Sequence, residues 1–227
     1  MTKRYVVTVD GPAGSGKSTV SRLLARELSC VYLDTGALYR AVALKVSRAG
    51  LAPDDRAGIA ALCAKTAVAL AVREGATRVL LDGQDVTEEI RTPAISMLAS
   101  TVSALPEVRQ RLLAVQREAA PAGGIVAEGR DMGTVVFPGA DVKFFLTAGP
   151  EERGRRRWLE LKQRGHEVEL AEVIRDVARR DRQDSGREIA PLRPSGDAVL
   201  VDSTGKSVEE VVQEMLRVIK GKGNRVF

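Results

Sequence analysis

A chain of 227 residues lies near the upper end of what one hydrophobic core supports, and its 44% of apolar residues argues against disorder. Aromatic residues reach only 4%, which speaks against a stacking platform for single-stranded nucleic acid. The net charge of +5 is concentrated in arginine runs such as Arg153-Gly154-Arg155-Arg156-Arg157 and Arg179-Arg180, which suit either a phosphate-bearing partner or a solvated basic helix face.

Residues 5–9 form a β-branched run ended by Asp10-Gly11 and predict a buried strand. Val20, Leu23, Leu24 and Leu28 recur at helical spacing and predict a helix over 18–28. A second short strand is expected at 31–33, then a helix over 38–49 closed by Gly50, and another helix capped by Asp54 that runs to about Lys65. Residues 68–73 and 78–82 flank Gly75 as a hairpin, and helices follow at 94–101 and 106–119, with Ser103 suited to opening the second. Gly123-Gly124 breaks the chain before a third core strand at 125–127, and a fourth is expected at 142–146. Arginine-rich helices separated near Gly165 lead to a fifth strand at 198–201. Ser207-Val208-Glu209-Glu210 is a capping box for a last helix ending near Gly221, with a frayed tail from Lys222.

Short apolar strands alternating with helices predict an α/β fold, a doubly wound five-stranded parallel sheet covered on both faces. The long stretch between the second and third core strands is an inserted subdomain with its own hairpin. Cys30 and Cys63 have no CxxC spacing and are expected as buried thiols in a reducing compartment, and His166 has no ligand partners nearby. Neither a signal peptide nor a membrane span is visible, which predicts a cytoplasmic protein.

Gly11-Pro12-Ala13-Gly14-Ser15-Gly16-Lys17-Ser18 fits GxxxxGK[ST] at every constrained position, between a strand and an amphipathic helix. Glycines let backbone N–H groups turn inward around a phosphate, and the following helix adds its positive end. Lys17 can reach the β- and γ-phosphates of ATP, the Ser18 hydroxyl can help hold Mg²⁺, and Thr19 completes the ATP-binding stretch. GTPases and motor ATPases share this loop, but the chain carries no guanine-reading motif and no motor extension, and it has separate basic positions for a second anion.

Three further stretches are Asp34-Thr35-Gly36-Ala37-Leu38-Tyr39-Arg40, Glu128-Gly129-Arg130-Asp131-Met132-Gly133-Thr134-Val135-Val136-Phe137-Pro138 and Arg180-Asp181-Arg182-Gln183-Asp184-Ser185-Gly186-Arg187. Together with the phosphate loop and Ile90-Arg91-Thr92, they resemble the bacterial cytidylate kinases along essentially the whole chain. The resemblance implies a single kinase domain: a core at about 1–34, 121–150 and 166–227, an acceptor-binding insert at about 35–120 and a lid at about 151–165. It implies that Arg40 and Arg130 hold the acceptor phosphate, with Thr35 where the family often has serine. Ser100, Arg109 and Asp131 would read cytosine, while Arg180, Asp184 and Arg187 would surround the ribose and the closed site. Arg153 and Arg157 fall in the lid expected over ATP. Ser18 replaces a glycine of some relatives, which favours its hydroxyl as a Mg²⁺ ligand, and Glu128 would orient a magnesium water from outside the coordination shell.

Cytosine offers an N4 amino donor, so the Asp131 carboxylate is a natural acceptor and would face the O4 of uracil unfavourably. The same residues have plainer readings: Asp131 as an ion pair with Arg130 or another arginine, Asp184 as a surface pair, and Arg109 as a solvated position beside Arg111 and Arg117. The reaction implied is ATP plus CMP or dCMP giving ADP plus CDP or dCDP with Mg²⁺, by a monomer without nucleic-acid or membrane partners. The rival readings are a kinase of another nucleotide or of a hydroxy acid such as shikimate, and a nucleic-acid-binding ATPase suggested by the basic charge.

Overall fold

The computed structural model describes residues 5–73, 76–120 and 124–223. In chain order the first elements are β1 (Val6–Asp10), α1 (Lys17–Glu27), β2 (Val31–Asp34), α2 (Thr35–Arg48) and α3 (Arg56–Ala64). Next come β3 (Val68–Arg73), β4 (Ala76–Leu81), β5 (Gln84–Asp85), α4 (Pro93–Val102) and α5 (Pro106–Glu118). The chain continues through β6 (Ile125–Gly129), β7 (Val142–Thr147), α6 (Pro150–Gln163), α7 (Leu170–Ser185), β8 (Val199–Asp202) and α8 (Val208–Gly223).

Two compact units result, one of Met1–Tyr32, Pro121–Gly186 and Ala190–Phe227, the other of Leu33–Ala120 with Arg187–Ile189. The first is organised by the five-stranded sheet in the order β2-β6-β1-β7-β8, with β1 at its centre. Val7 on β1 faces Val126 on β6 and Val142 on β7, and the pairings of β1 with β6, β1 with β7 and β7 with β8 are all parallel. The apolar runs of these strands bury Val7, Val9, Val126, Phe144 and Leu146 against Val20 and Leu24 of α1 and Val211, Met215 and Ile219 of α8. Such continuous burial is why they read as unbroken hydrophobic runs in the sequence. In the second unit, α2 is buried almost along its length and packs with α4, α5 and the antiparallel sheet β3-β4-β5.

Local chemistry moves several boundaries. α2 begins at Thr35 rather than 38, because the Asp34 carboxylate accepts from the Ala37 N–H at 3.1 Å and caps the helix earlier. Asp55, not Asp54, caps α3 by accepting from Gly58 N–H at 2.9 Å. Ser103 closes α4 instead of opening α5, whose start is set by Pro106 with its preorganised φ. The hairpin gains a third strand, since Asp82 and Gly83 both adopt positive φ (50° and 84°) as a primed two-residue turn requires. Its first turn, around Gly75, lies outside the described residues, as do Gly123 and the tail beyond Gly223. Cys63 is buried as expected, but Cys30 is only half-buried, in the turn that leaves α1. The Ser207–Glu210 capping box forms reciprocally, at 2.8 and 3.2 Å. Among the described residues no helix is long and apolar enough to cross a membrane.

Helices α6 and α7 approach closely because Gly154 has no side chain: a Cβ there would overlap Ile174. Helix propensity alone would make Gly154→Ala stabilising by about 1 kcal/mol. The overlap should reverse the sign, costing about 1–3 kcal/mol and lowering the urea midpoint.

Candidate active site

The turn after β1 is shaped by what surrounds it. A Cβ on Gly11 would strike the Leu146 carbonyl of β7, and one on Gly14, whose φ is +73°, would strike the Arg153 carbonyl of α6. The loop can therefore pass between these strand and helix backbones only with glycine at both positions. It delivers the chain into α1, whose N-terminus has no side-chain cap, so its first N–H groups remain suited to an anion. Lys17, the first residue of α1, is buried, and its ammonium donates to the Pro12 carbonyl at 2.6 Å and to Ser15 Oγ at 3.3 Å. Burial, then the neighbouring Arg130 and Arg180 charges, push its pKa down to about 7 against the pull of Glu128 and Asp10.

Beside the loop, Glu128 lies one residue before the end of β6, directly opposite Val9, and is buried. It accepts from the Ser18 hydroxyl at 3.0 Å through one carboxylate oxygen and pairs with the Tyr32 hydroxyl through the other. A hydroxyl and a carboxylate are hard oxygen donors, the set that suits Mg²⁺ shared with phosphate oxygens. The segment after β6 makes a π-helical turn over Met132–Val136, an uncommon geometry often found at functional sites. Asp10 anchors it by accepting from the Met132 and Gly133 N–H groups, each at 2.8 Å, although burial still pushes its pKa up to about 6. Asp131 precedes this turn and is buried. Arg130 donates from Nε to Asp184 of α7 at 2.7 Å, and Asp184 is only 1% exposed.

Helix α6 carries arginines with different commitments. Arg153 is buried, donating to the Ala148 carbonyl at 2.9 Å and the Ala13 carbonyl at 3.2 Å while pairing with Asp181. Arg156 grips the loop after β8, reaching Ser203 Oγ at 2.9 Å and its carbonyl at 2.8 Å. Ser203 Oγ also lies 3.2 Å from the Ser15 carbonyl, tying that loop to the phosphate loop. Arg157 pairs along its own helix with Glu160 at 2.7 Å.

In the second unit, Asp34 both caps α2 and pairs with Arg40 at 2.7 Å. The Arg40 and Arg91 charges hold its carboxyl below the usual range despite burial. Thr35 is buried at the first turn of the same helix. Arg109 is also buried, with its guanidinium 5.7 Å from the Tyr39 ring centre and donating to the Ser103 carbonyl at 3.1 Å. Ser103 Oγ donates to the Ser100 carbonyl at 2.9 Å, and Arg187 reaches the same carbonyl at 3.5 Å.

A family model described as cytidylate kinase matches residues 7–221. The chain belongs to the cytidylate kinase family. It is 57% identical to the cytidylate kinase of Geobacter sulfurreducens, covering 95% of this chain and 92% of that one. Its identity to the cytidylate kinase of Syntrophotalea carbinolica is 52%, over 96% and 93% of the two chains. A crystal structure of an uncharacterized protein from Eubacterium ventriosum superposes with a TM-score of 0.54 at 11% identity, over 96% of this chain and 99% of that one, a likeness of fold alone.

Against that family background, the residues singled out from sequence fall into two sets. Lys17, Ser18, Glu128, Arg130, Asp131, Arg153, Arg157, Arg180 and Asp184 lie in the first unit, and Thr35, Arg40, Ser100, Arg109 and Arg187 in the second. Two plainer readings are corrected by burial: Asp184 is not a surface pair but an interior one, and Arg109 is not solvated. Tyr32, Asp10, Asp181 and Ser203 escaped sequence reasoning, because each acts on a residue far from it in the chain and carries no local spacing signal.

Two outcomes follow from the charges. Asp184→Ala strips the interior carboxylate from Arg130 and should destabilise the fold by about 3 kcal/mol, read by urea unfolding. Nucleotide phosphates beside Lys17 should restore its proton, so ATP binding at pH 8 should take up a proton, approaching about one per site. Calorimetry in buffers of different ionisation enthalpy measures this uptake, and Lys17→Ala should abolish it.

Proposed function

We propose that this member of the cytidylate kinase family transfers the γ-phosphoryl group of ATP to CMP or dCMP. The observation that carries the reading is an intact phosphate loop, with Lys17 drawn onto Pro12 and Ser15, in a chain whose family match spans residues 7–221. ATP is assigned to Gly11, Pro12, Ala13, Gly14, Ser15, Gly16, Lys17, Ser18 and Thr19. Arg40 and Arg130 are assigned to the acceptor phosphate, and Ser100, Arg109 and Asp131 to the cytosine ring. Thr35, Arg180, Asp184 and Arg187 are assigned to positioning the rest of the acceptor nucleotide.

The acceptor phosphate oxygen is already an anion, so its in-line attack on the γ-phosphorus needs no strong general base. What remains is placement and charge neutralisation in a dry site, because water competes as acceptor. Lys17 moves from its backbone partner onto the migrating group, and Arg157 on α6 is assigned to cover that group. Arg40 and Arg130 offset the repulsion between two anionic substrates. Mg²⁺ bound with ATP would supply charge neutralisation on the transferring phosphates. Ser18 is the residue that would ligate it, with Glu128 orienting a bound water. Free thiols at Cys30 and Cys63 suit the reducing cytoplasm to which we assign the protein.

A coupled assay with CMP, dCMP, UMP, AMP and shikimate tests the proposal directly. CMP or dCMP should give the highest kcat/KM. A preference for another acceptor, or ATP hydrolysis stimulated only by oligonucleotides, would overturn it. Lys17→Ala should lower kcat by about 10³-fold or more with the fold intact by circular dichroism. Asp131→Asn should narrow the CMP-over-UMP ratio of kcat/KM by about tenfold, the scale of one lost charged hydrogen bond. An unchanged ratio would remove Asp131 from base reading.

A further inference from the structure

The Ala13 peptide of the phosphate loop is gripped at both of its polar groups. Its N–H donates to Asp181 Oδ1 at 3.3 Å, and its carbonyl accepts from Arg153 Nη1 at 3.2 Å. Arg153 and Asp181 are in turn paired with each other, through Nη1 and Oδ2. Arg153 is further fixed by its bond from Nε to the Ala148 carbonyl at 2.9 Å, and it is buried. Its own carbonyl fills the space that a side chain on Gly14 would need. One ion pair, with one member on α6 and the other on α7, therefore sets the conformation of Ala13 and crowds that of Gly14.

We propose that Arg153 and Asp181 are a positioning pair that holds the phosphate loop in its nucleotide-receiving turn, Arg153 acting on the loop and not on phosphate. The proposal rests on the reading of Gly11–Ser18 as the donor site. Arg153, expected from the sequence in the lid over ATP, is thereby given a role that acts through Ala13. The guanidinium has its Nε on Ala148 and its Nη1 shared between Ala13 and Asp181, which fits a brace better than a cation waiting for ligand. A loop whose N–H groups must converge on one phosphate loses affinity when its turn is loosened, because convergence has to be re-established at binding.

The sign of one substitution separates this role from its rivals. Asp181 is an anion beside an anion-binding loop, so by Coulomb's law alone its removal should tighten nucleotide binding. It should tighten also if the carboxylate merely occupies the Ala13 N–H in place of phosphate, or if Arg153 is released to bind phosphate itself. As a positioning residue its removal must weaken binding.

ADP affinity measured by calorimetry, together with KM for ATP and for CMP, decides the matter. Asp181→Ala is expected to weaken ADP binding and raise KM for ATP roughly tenfold, leaving KM for CMP unchanged. Arg153→Lys should do the same, and the double substitution should be no worse than either single one, since the pair acts as a unit. Asp181→Asn keeps an acceptor for Ala13 N–H and should weaken ADP binding less; if Asp181→Ala does not fold, its sign decides instead. ADP bound by either Asp181 variant as tightly as by wild type, or more tightly, overturns the proposal, even where the melting temperature falls. Failure of the wild-type chain to bind ADP would instead overturn the donor-site reading beneath it.

Discussion

The first unit is built around buried positive charge. Lys17 and Arg153 are nearly inaccessible and Arg130 is only 18% exposed at its side chain, so their charges sit where water screens them little. Each buried cation carries a desolvation cost, and the surrounding structure answers it with a carboxylate or a carbonyl in contact. Asp184 answers Arg130, Asp181 answers Arg153, and the Pro12 carbonyl receives Lys17. Lys17 has no carboxylate in contact among the described residues, and burial, with Arg130 and Arg180 nearby, loosens its proton.

This arrangement depends on the parallel sheet. The C-terminal ends of β1 and β6 carry Asp10 and Glu128 in register with one another's neighbours, so the phosphate loop and the Glu128-Gly129-Arg130-Asp131 stretch leave the sheet side by side. Asp10 then reaches across to the Met132 and Gly133 N–H groups and holds the π-helical turn. Ser203 does the equivalent at the end of β8, linking Arg156 of α6 to the Ser15 carbonyl. The phosphate loop is thus braced by Arg153 and Asp181 at Ala13 and by Ser203 at Ser15. The second unit repeats the theme on a smaller scale, with Asp34 dividing its carboxylate between a helix cap and Arg40.

Much of this was legible in the chain itself. The eight residues of the phosphate loop are contiguous, and their chemistry follows from backbone conformation and one lysine, so spacing alone identifies them. The central strands β1, β6 and β7 were legible because burial on both faces leaves an unbroken apolar run. Boundaries failed where two candidate caps stood together, as at Asp54 and Asp55, or where a candidate cap closes the preceding helix instead, as at Ser103. The strand at Gln84–Asp85 was missed although Asp82-Gly83 is a strong turn signal, because two residues are too few to show a period.

The sequence by itself determined the donor chemistry, the α/β class and the family, since these rest on short-range spacing and on matched stretches that need no coordinates. Tertiary structure alone decided how the arginines divide their work. In the sequence Arg153, Arg156 and Arg157 are near-equivalent members of one basic run. In the fold the first is buried on Ala13 and Asp181, the second grips Ser203, and the third pairs along its own helix. The physical reason is that a guanidinium's role is set by the acceptors within its reach, and those that tell Arg153 and Arg156 apart, on Ala13, Asp181 and Ser203, lie 28 to 140 positions away. No local pattern records such distant neighbours, and only the packing of α6 on α7 and beside the phosphate loop brings them together.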